Sequence, residues 1–268
     1  MKRDVYEEIV RLKGTGESAA LATIIGTEGS TPREAGAKML VREDGTLFGT
    51  IGGGRLEAQV IKEALTVIRK EEPRTFHYDL TGKEAAGVGM ICGGVLDVYI
   101  EPIVPAPTVF IFGGGHISLF VSKISAMAGF KVAVIDDRAE FASRERFPEA
   151  EIVIAERFNL VFPTLPVNRS SYVVIVTRGH AFDQEALEWA ITTEAKYIGM
   201  IGSRKKIQAV YSNLEKKGVA WETLQRVFAP IGLDIGALTP EEIAVAIMAQ
   251  MIQVRREGKK DKATGSCS

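Results

Sequence analysis

The sequence is short of the residues that build covalent or metal cross-links. Two cysteines, Cys92 and Cys267, and three histidines are spread through 268 residues. No disulfide framework can be drawn from them, and neither HExxH nor a pair of CxxC motifs is present, which excludes the common protein-ligated zinc sites and suits a reducing compartment. An excess of either charge is also missing. With 33 Lys and Arg against 34 Asp and Glu, the formal charge of −1 gives no field that would draw in nucleic acid or an acidic membrane, so anion recognition has to be local. The first residues, MKRDVYEEIVRLKG, interrupt their apolar positions with charge. They predict neither a signal peptide nor a transmembrane span, and a cytoplasmic protein is expected. No internal repeat is visible. What the chain does have is 46% hydrophobic residues, enough at this length to fill two cores.

The most informative stretch is Val109 to Asp136, VFIFGGGHISLFVSKISAMAGFKVAVID. A four-residue apolar run suits a parallel strand buried on both faces, and Gly113-Gly114-Gly115 follows it directly. Ile117, Phe120, Val121 and Ile124 then recur at helical spacing up to Gly129, and Lys131 to Ile135 reads as a second strand. Gly113, Gly115 and Ser118 stand at the three positions of GxGxxG. The first two allow a tight turn and close approach of a ligand, and the third needs a small residue for packing. Asp136, ending the second strand, is placed to accept hydrogen bonds from a ribose diol. These features predict a dinucleotide-type fold.

Before this stretch the chain is β-rich. Strands are expected at Ala19 to Ile25, Ala37 to Val41, Leu47 to Ile51, Arg74 to Asp79 and Val95 to Glu101, behind a short first helix carrying Val5, Ile9 and Leu12. Three loops stand out. Gly26 to Gly36 mixes glycines, hydroxyls and Arg33, and can hold an oxyanion or a polar heterocycle, or can be a solvated turn. Gly52-Gly53-Gly54-Arg55 opens a helix. Its free N–H groups and Arg55 could bind an anion, or the glycines could serve packing alone. Thr81 to Gly94 places Cys92 before two glycines, where the sulfur could be an approachable thiolate or persulfide carrier, or an inert small hydrophobe. Cys267 falls in a polar tail.

Pro102, Pro105 and Pro107 mark a linker, and beyond it strands and helices alternate as in βαβ units. The expected organisation is α/β: a β-rich α+β N-terminal domain over 1–103, a Rossmann-like parallel-sheet C-terminal domain over 108–256, and a disordered tail over 257–268. A short helical region is expected after Arg138, ending at Phe147-Pro148, with further helices from about Asp183 to Ile191, from Ser203 to Lys217, and from the capping box at Thr239-Pro240-Glu241-Glu242. His116 and His180 each follow a strand end, where open parallel sheets bind ligands, and Asp183 could orient His180. Ser203, Arg204, Lys205 and Lys206 place three cations in the first turn of a helix. A bound phosphate would make that arrangement favourable, and solvation of the cations would make it neutral.

With those residues in view, the sequence resembles the xanthine dehydrogenase accessory factors of the XdhC/CoxI family. The resemblance rests on GSTPREAGAKMLV, GTIGGGRLEAQV and GMICGGVLDVYIEP in the first half, and on IFGGGHIS, VIDDR, TRGHAFD, YIGMIGSRKK and APIGLDIGALTPEEIA in the second. It implies a maturation chaperone that binds molybdenum cofactor, as molybdopterin or its dinucleotide form, and supports its sulfuration by a cysteine desulfurase. The cofactor would then pass to a molybdenum hydroxylase of the xanthine dehydrogenase type. It also implies that Cys92 is the motif cysteine, carrying sulfur or ligating the metal, that Gly113 and Gly115 are the Rossmann glycines, and that Asp136 is the acidic position. A homodimer is expected. Ser118 and the sequence TRGH depart from the family pattern and leave the preferred nucleotide open. Two other readings stay alongside: an NAD(P)-dependent oxidoreductase using the Rossmann domain, and a regulatory protein that senses a nucleotide and docks to a dehydrogenase.

Overall fold

The computed structural model describes residues 4–80 and 93–256, and the chain divides into two compact units between Pro105 and Ala106. The first unit opens with α1 (Val5–Thr15), held by a reciprocal Asp4–Glu7 capping box and closed by Gly16 at φ 77°. Strands β1 (Ala19–Glu28), β2 (Lys38–Arg42) and β3 (Leu47–Gly49) follow, then α2 (Gly54–Lys70), β4 (Arg74–Asp79) and β5 (Val95–Ile103). The strands form one antiparallel sheet in the order β3-β2-β1-β5-β4. Period-two alternation splits its side chains between two helices. Ala20, Ala22, Leu96, Val98 and Ile100 pack under the Leu56, Val60, Ala64 and Val67 stripe of α2. Leu21, Leu40 and Ile103 meet Leu12 of α1.

The second unit contains β6 (Thr108–Phe112), α3 (His116–Met127), β7 (Lys131–Asp136), β8 (Ile152–Ala155), α4 (Phe158–Val161), β9 (Ser171–Ile175) and α5 (His180–Ala190). It continues with β10 (Tyr197–Met200), α6 (Arg204–Lys216), α7 (Trp221–Leu224), β11 (Val227–Phe228) and α8 (Pro240–Arg256). Every strand pairing is parallel and the order is β11-β10-β9-β6-β7-β8. Read from the first strand of the unit, this is the 3-2-1-4-5-6 arrangement of a doubly wound dinucleotide fold, whose topological switch lies between β6 and β9. Both faces are covered, which explains why these strands are continuously apolar. Val109, Ile111, Val134 and Val174 pack with α3 and α8, and Phe110, Phe112, Val173 and Ile198 with α4 to α7.

Two expectations need correction. Residues 137–147 form successive turns and bends, not a helix, because the segment is pulled across the glycine turn by contacts described below. Helix α5 starts at His180 rather than Asp183, so Asp183 lies inside its first turn. The short α4, α7 and β11 went unanticipated; none is long enough to display a period.

Candidate functional site

Open parallel sheets bind ligands beyond the carboxyl ends of their strands, at the switch point. Here that edge begins with the glycine turn after β6, and its three glycines differ in what holds them. Gly113 has φ +105°, and a Cβ there would come within 2.5 Å of the Val176 carbonyl oxygen. At Gly114 a Cβ would lie 2.2 Å from the Phe141 carbonyl oxygen, whereas at Gly115 nothing lies within 4 Å. Packing inside the chain therefore accounts for the first two, and only Gly115 faces open space. Ser118 is fully buried and its hydroxyl donates to the Gly113 carbonyl at 2.5 Å. The departure at the third motif position thus supplies a hydrogen bond as well as a small side chain.

Asp136 does not present a free carboxylate. Its Oδ2 accepts from the Gly114 N–H at 2.8 Å and from Arg138 Nη2 at 3.0 Å, and its Oδ1 from the Arg138 N–H at 3.1 Å and Arg138 Nε at 2.9 Å. Those four bonds use the acceptor capacity of both oxygens. Burial by itself would raise the carboxyl's pKa; the Arg138 guanidinium and the two amides outweigh it and hold the group below the usual carboxylate range. The expected bonds to a ribose diol would require breaking this clasp. The clasp also explains the missing helix: Arg138 lies 3.6 Å over the Phe141 ring, Arg146 Nη2 donates to the Gly114 carbonyl at 3.1 Å, and Arg178 pairs with Asp137 at 2.8 Å.

His116 and His180 are the exposed first residues of α3 and α5, which follow the adjacent strands β6 and β9. Asp183 does not orient His180. Its buried carboxylate accepts from the Thr177 N–H at 3.2 Å and the Thr177 hydroxyl at 2.6 Å, and the Lys206 ammonium sits against its other oxygen. One of the three cations at the start of α6 is therefore neutralised from within. Ser203 caps that helix, accepting from the Lys206 N–H at 3.3 Å, and Arg204 and Lys205 are exposed.

Arg204 lines a cavity of about 430 Å³ that sequence reasoning missed, walled by the loop Pro230 to Ala237 and by Ile243 and Ala246 of α8. The sole hint was the glycine spacing in GLDIG. The loop is pinned at both ends: Gln250 Oε1 accepts from the Gly232 N–H at 2.8 Å and from the Tyr197 hydroxyl at 2.7 Å, and Glu242 accepts from the Leu238 and Thr239 N–H groups.

In the first unit the Gly26–Gly36 loop packs against both the glycine turn before α2 and the Gly93-Gly94 pair that leads into β5. Gly94 leaves no room for a Cβ, which would lie 2.5 Å from the Ser30 carbonyl oxygen, and a Cβ on Gly52 would lie 2.6 Å from the Pro32 ring. Arg33, Gly54 and Arg55 are exposed around this convergence. Two of the N–H groups expected to receive an outside anion, those of Gly52 and Gly53, are otherwise engaged, the first by the Thr50 hydroxyl oxygen at 3.2 Å. Glu57 Oε1 accepts from the Gly53 N–H at 3.0 Å and the Ile51 N–H at 3.2 Å, so the helix start is neutralised by the chain's own carboxylate. Cys92, immediately before Gly93, lies outside the described residues.

Comparison with known proteins places these features in context. The family model described as the XdhC Rossmann domain matches residues 109–251, and the XdhC and CoxI family model matches residues 12–79. The chain belongs to the XdhC and CoxI family. Among its relatives, Escherichia coli (strain K12) YqeB is 36% identical over 253 residues, covering 94% of this chain and 46% of YqeB, so the chain spans less than half of that relative. A Bacillus subtilis (strain 168) protein named as a probable xanthine dehydrogenase subunit is 23% identical, over 90% of this chain and 94% of its own. The Escherichia coli (strain K12) molybdenum cofactor insertion chaperone PaoD is 22% identical, over 97% and 90%. A crystal structure described as a xanthine dehydrogenase from Bacillus halodurans superposes with a TM-score of 0.53 at 25% identity, over 97% of each chain.

For an XdhC/CoxI chain the fit to a cofactor can be judged from the side chains present. Among the described residues no group of three or more His, Cys, Asp or Glu is placed to hold a metal ion. In the second unit the open face of Gly115 and the exposed Arg204 suit an organic group that brings a phosphate, and in the first unit, taken by itself, Arg33 and Arg55 are exposed cations of the same kind. Among those residues no helix is long and apolar enough to cross a membrane.

Proposed function

We propose that this chain binds molybdenum cofactor and helps to mature a molybdenum hydroxylase of the xanthine dehydrogenase type. The observation that carries the reading is the state of the Rossmann edge. Asp136 is saturated by Arg138 and Gly114, which disfavours ribose recognition, while Gly115 beside it stays open to a phosphate. That combination supports a cofactor whose phosphate comes without a ribose diol to be read, such as molybdopterin, over the NAD(P) oxidoreductase reading. The name of PaoD, aligned along nearly the whole chain, narrows the class. When bound, the cofactor supplies the redox centre that the client enzyme uses. The chain's own part is to hold it in the second unit by Gly115 and Arg204, shield it from water and release it. Sulfuration by a cysteine desulfurase, with Cys92 carrying the sulfur or ligating the metal, and action as a homodimer belong to the same proposal. The test is to purify the chain from cells that make molybdopterin, denature it, and identify released pterin and molybdenum by fluorescence and mass spectrometry. Both should be present; protein free of pterin under those conditions would reject the reading.

A further inference from the structure

We propose that the cavity between the 230–237 loop and α8 seats a pterin ring, with Asp234 reading the ring's amino edge and Arg204 holding its anionic tail. The proposal rests on the cofactor reading above and assigns it a place. A volume of about 430 Å³ falls within the range of small-molecule sites. It opens at the carboxyl edge of the sheet, since the Ile231 N–H donates to the last residue of β10, Met200. Its apolar surfaces, including Ile231, Leu233 and Ile243, can cover the faces of a flat heterocycle. Its two charged lining residues, Asp234 and Arg204, are exposed, and neither has an ion-pair or hydrogen-bonding side-chain partner among the described residues.

A 2-amino-4-oxopterin matches that pairing. Its 2-amino group and N3–H form two parallel donors, the arrangement that a carboxylate accepts in bidentate fashion, and a phosphate or carboxylate tail suits a guanidinium. The loop's backbone adds donors. The N–H groups of Gly232, Leu233, Leu238 and Thr239 are all bonded within the chain. Those of Asp234, Ile235, Gly236 and Ala237 between them have no partner among the described residues. Because Gln250 fixes one end of the loop and Glu242 the other, these four groups are held in place before a ligand arrives, which lowers the ordering cost of binding.

The experiment uses the full chain and two fluorescent probes: pterin-6-carboxylate, and lumazine-6-carboxylate, which has oxygen in place of the 2-amino group. Titration followed by fluorescence anisotropy should show saturable binding of the pterin and weaker binding of the lumazine. Asp234→Asn and Arg204→Ala should each weaken pterin binding by roughly tenfold to a hundredfold, the loss expected for one charge-assisted contact. Asp234→Asn should leave the lumazine nearly unchanged. Both residues are exposed, so both variants should melt with the parent. Equal pterin affinity in parent and both variants, or no preference for pterin over lumazine, would overturn the assignment. If that happened while the parent still released pterin on denaturation, the cofactor reading would stand and only its place would be lost. Variant-sensitive binding of the added pterin by a chain that released none would keep the pocket and remove the cargo.

Discussion

Gly114 and Gly115 are neighbours in one turn, and the structure assigns them opposite sensitivities. A Cβ on Gly114 would sit 2.2 Å from the Phe141 carbonyl oxygen and 2.8 Å from its carbon. That carbonyl would have to retreat by about 1 Å to reach ordinary contact. Overpacking of this kind costs about 1–3 kcal/mol. The shift would also strain the Gly114 bonds to Asp136 and Arg146, worth about 1 kcal/mol each. Gly114→Ala should therefore destabilise the second unit by roughly 2–5 kcal/mol, or about 5–15 °C in melting temperature for a domain of this size. Gly115 has φ −73° and open space where the Cβ would go. Alanine there gains from a less flexible unfolded chain and loses a favoured N-cap residue, so Gly115→Ala should stay within about 1 kcal/mol of the parent. Its effect should appear in cofactor content: Gly115→Val, with a larger group in the same space, should purify folded and without pterin. The assays are thermal melting by circular dichroism and pterin release on denaturation. Gly114→Ala melting with the parent would refute the packing argument, and Gly115→Val retaining the parent's pterin would refute phosphate approach at this turn.

Acid stability should expose the buried ion cluster of the first unit. Glu8 lies under Arg42 at 2.8 Å and Arg11 at 2.9 Å, and hydrogen bonding from Arg42 above all lowers its pKa from 4.5 to about 2. A depressed carboxyl stabilises the fold fully above its unfolded pKa and loses that contribution as pH falls through the folded one. The parent should thus lose on the order of 2 kcal/mol between those values, and Glu8→Gln should lack that part of the melting curve's acid limb; superimposable limbs would refute the assignment. Cys92→Ser and Cys92→Ala should reduce activation of a co-expressed molybdenum hydroxylase while shifting melting by roughly 1 kcal/mol or less for serine, and full activation by either variant would remove sulfur chemistry from Cys92.

Much of the fold could be read from the sequence because the strands of the second unit are buried on both faces, so that apolar runs such as Val109 to Phe112 and Tyr172 to Val176 register even though they are short. The glycines and the Thr239–Glu242 capping box announced their local geometry in the same way, whereas Pro102, read as the start of the linker, lies within β5 opposite Ala20. The site was less legible, and the reason is the same at each position. Spacing locates a carboxylate or an N–H group, but it does not say what saturates it. Asp136 was placed as a ribose acceptor by its distance from the glycine turn, yet the groups that fill its oxygens come from Arg138, two residues on, and Gly114, twenty-two residues back. Asp183 was paired with its sequence neighbour His180, and the fold gives it to Thr177 and Lys206. The Gly53 donor was left for a phosphate, and Glu57 reaches back to take it. In each case the chain answers its own charge before a ligand can. Among the described residues of the second unit, Gly115, Arg204 and the 234–237 backbone are candidate positions that no local carboxylate reaches. Binding in the second unit is therefore to be sought where self-satisfaction fails, which is along the carboxyl edge from β6 to β11 and not at the ribose position of the fingerprint.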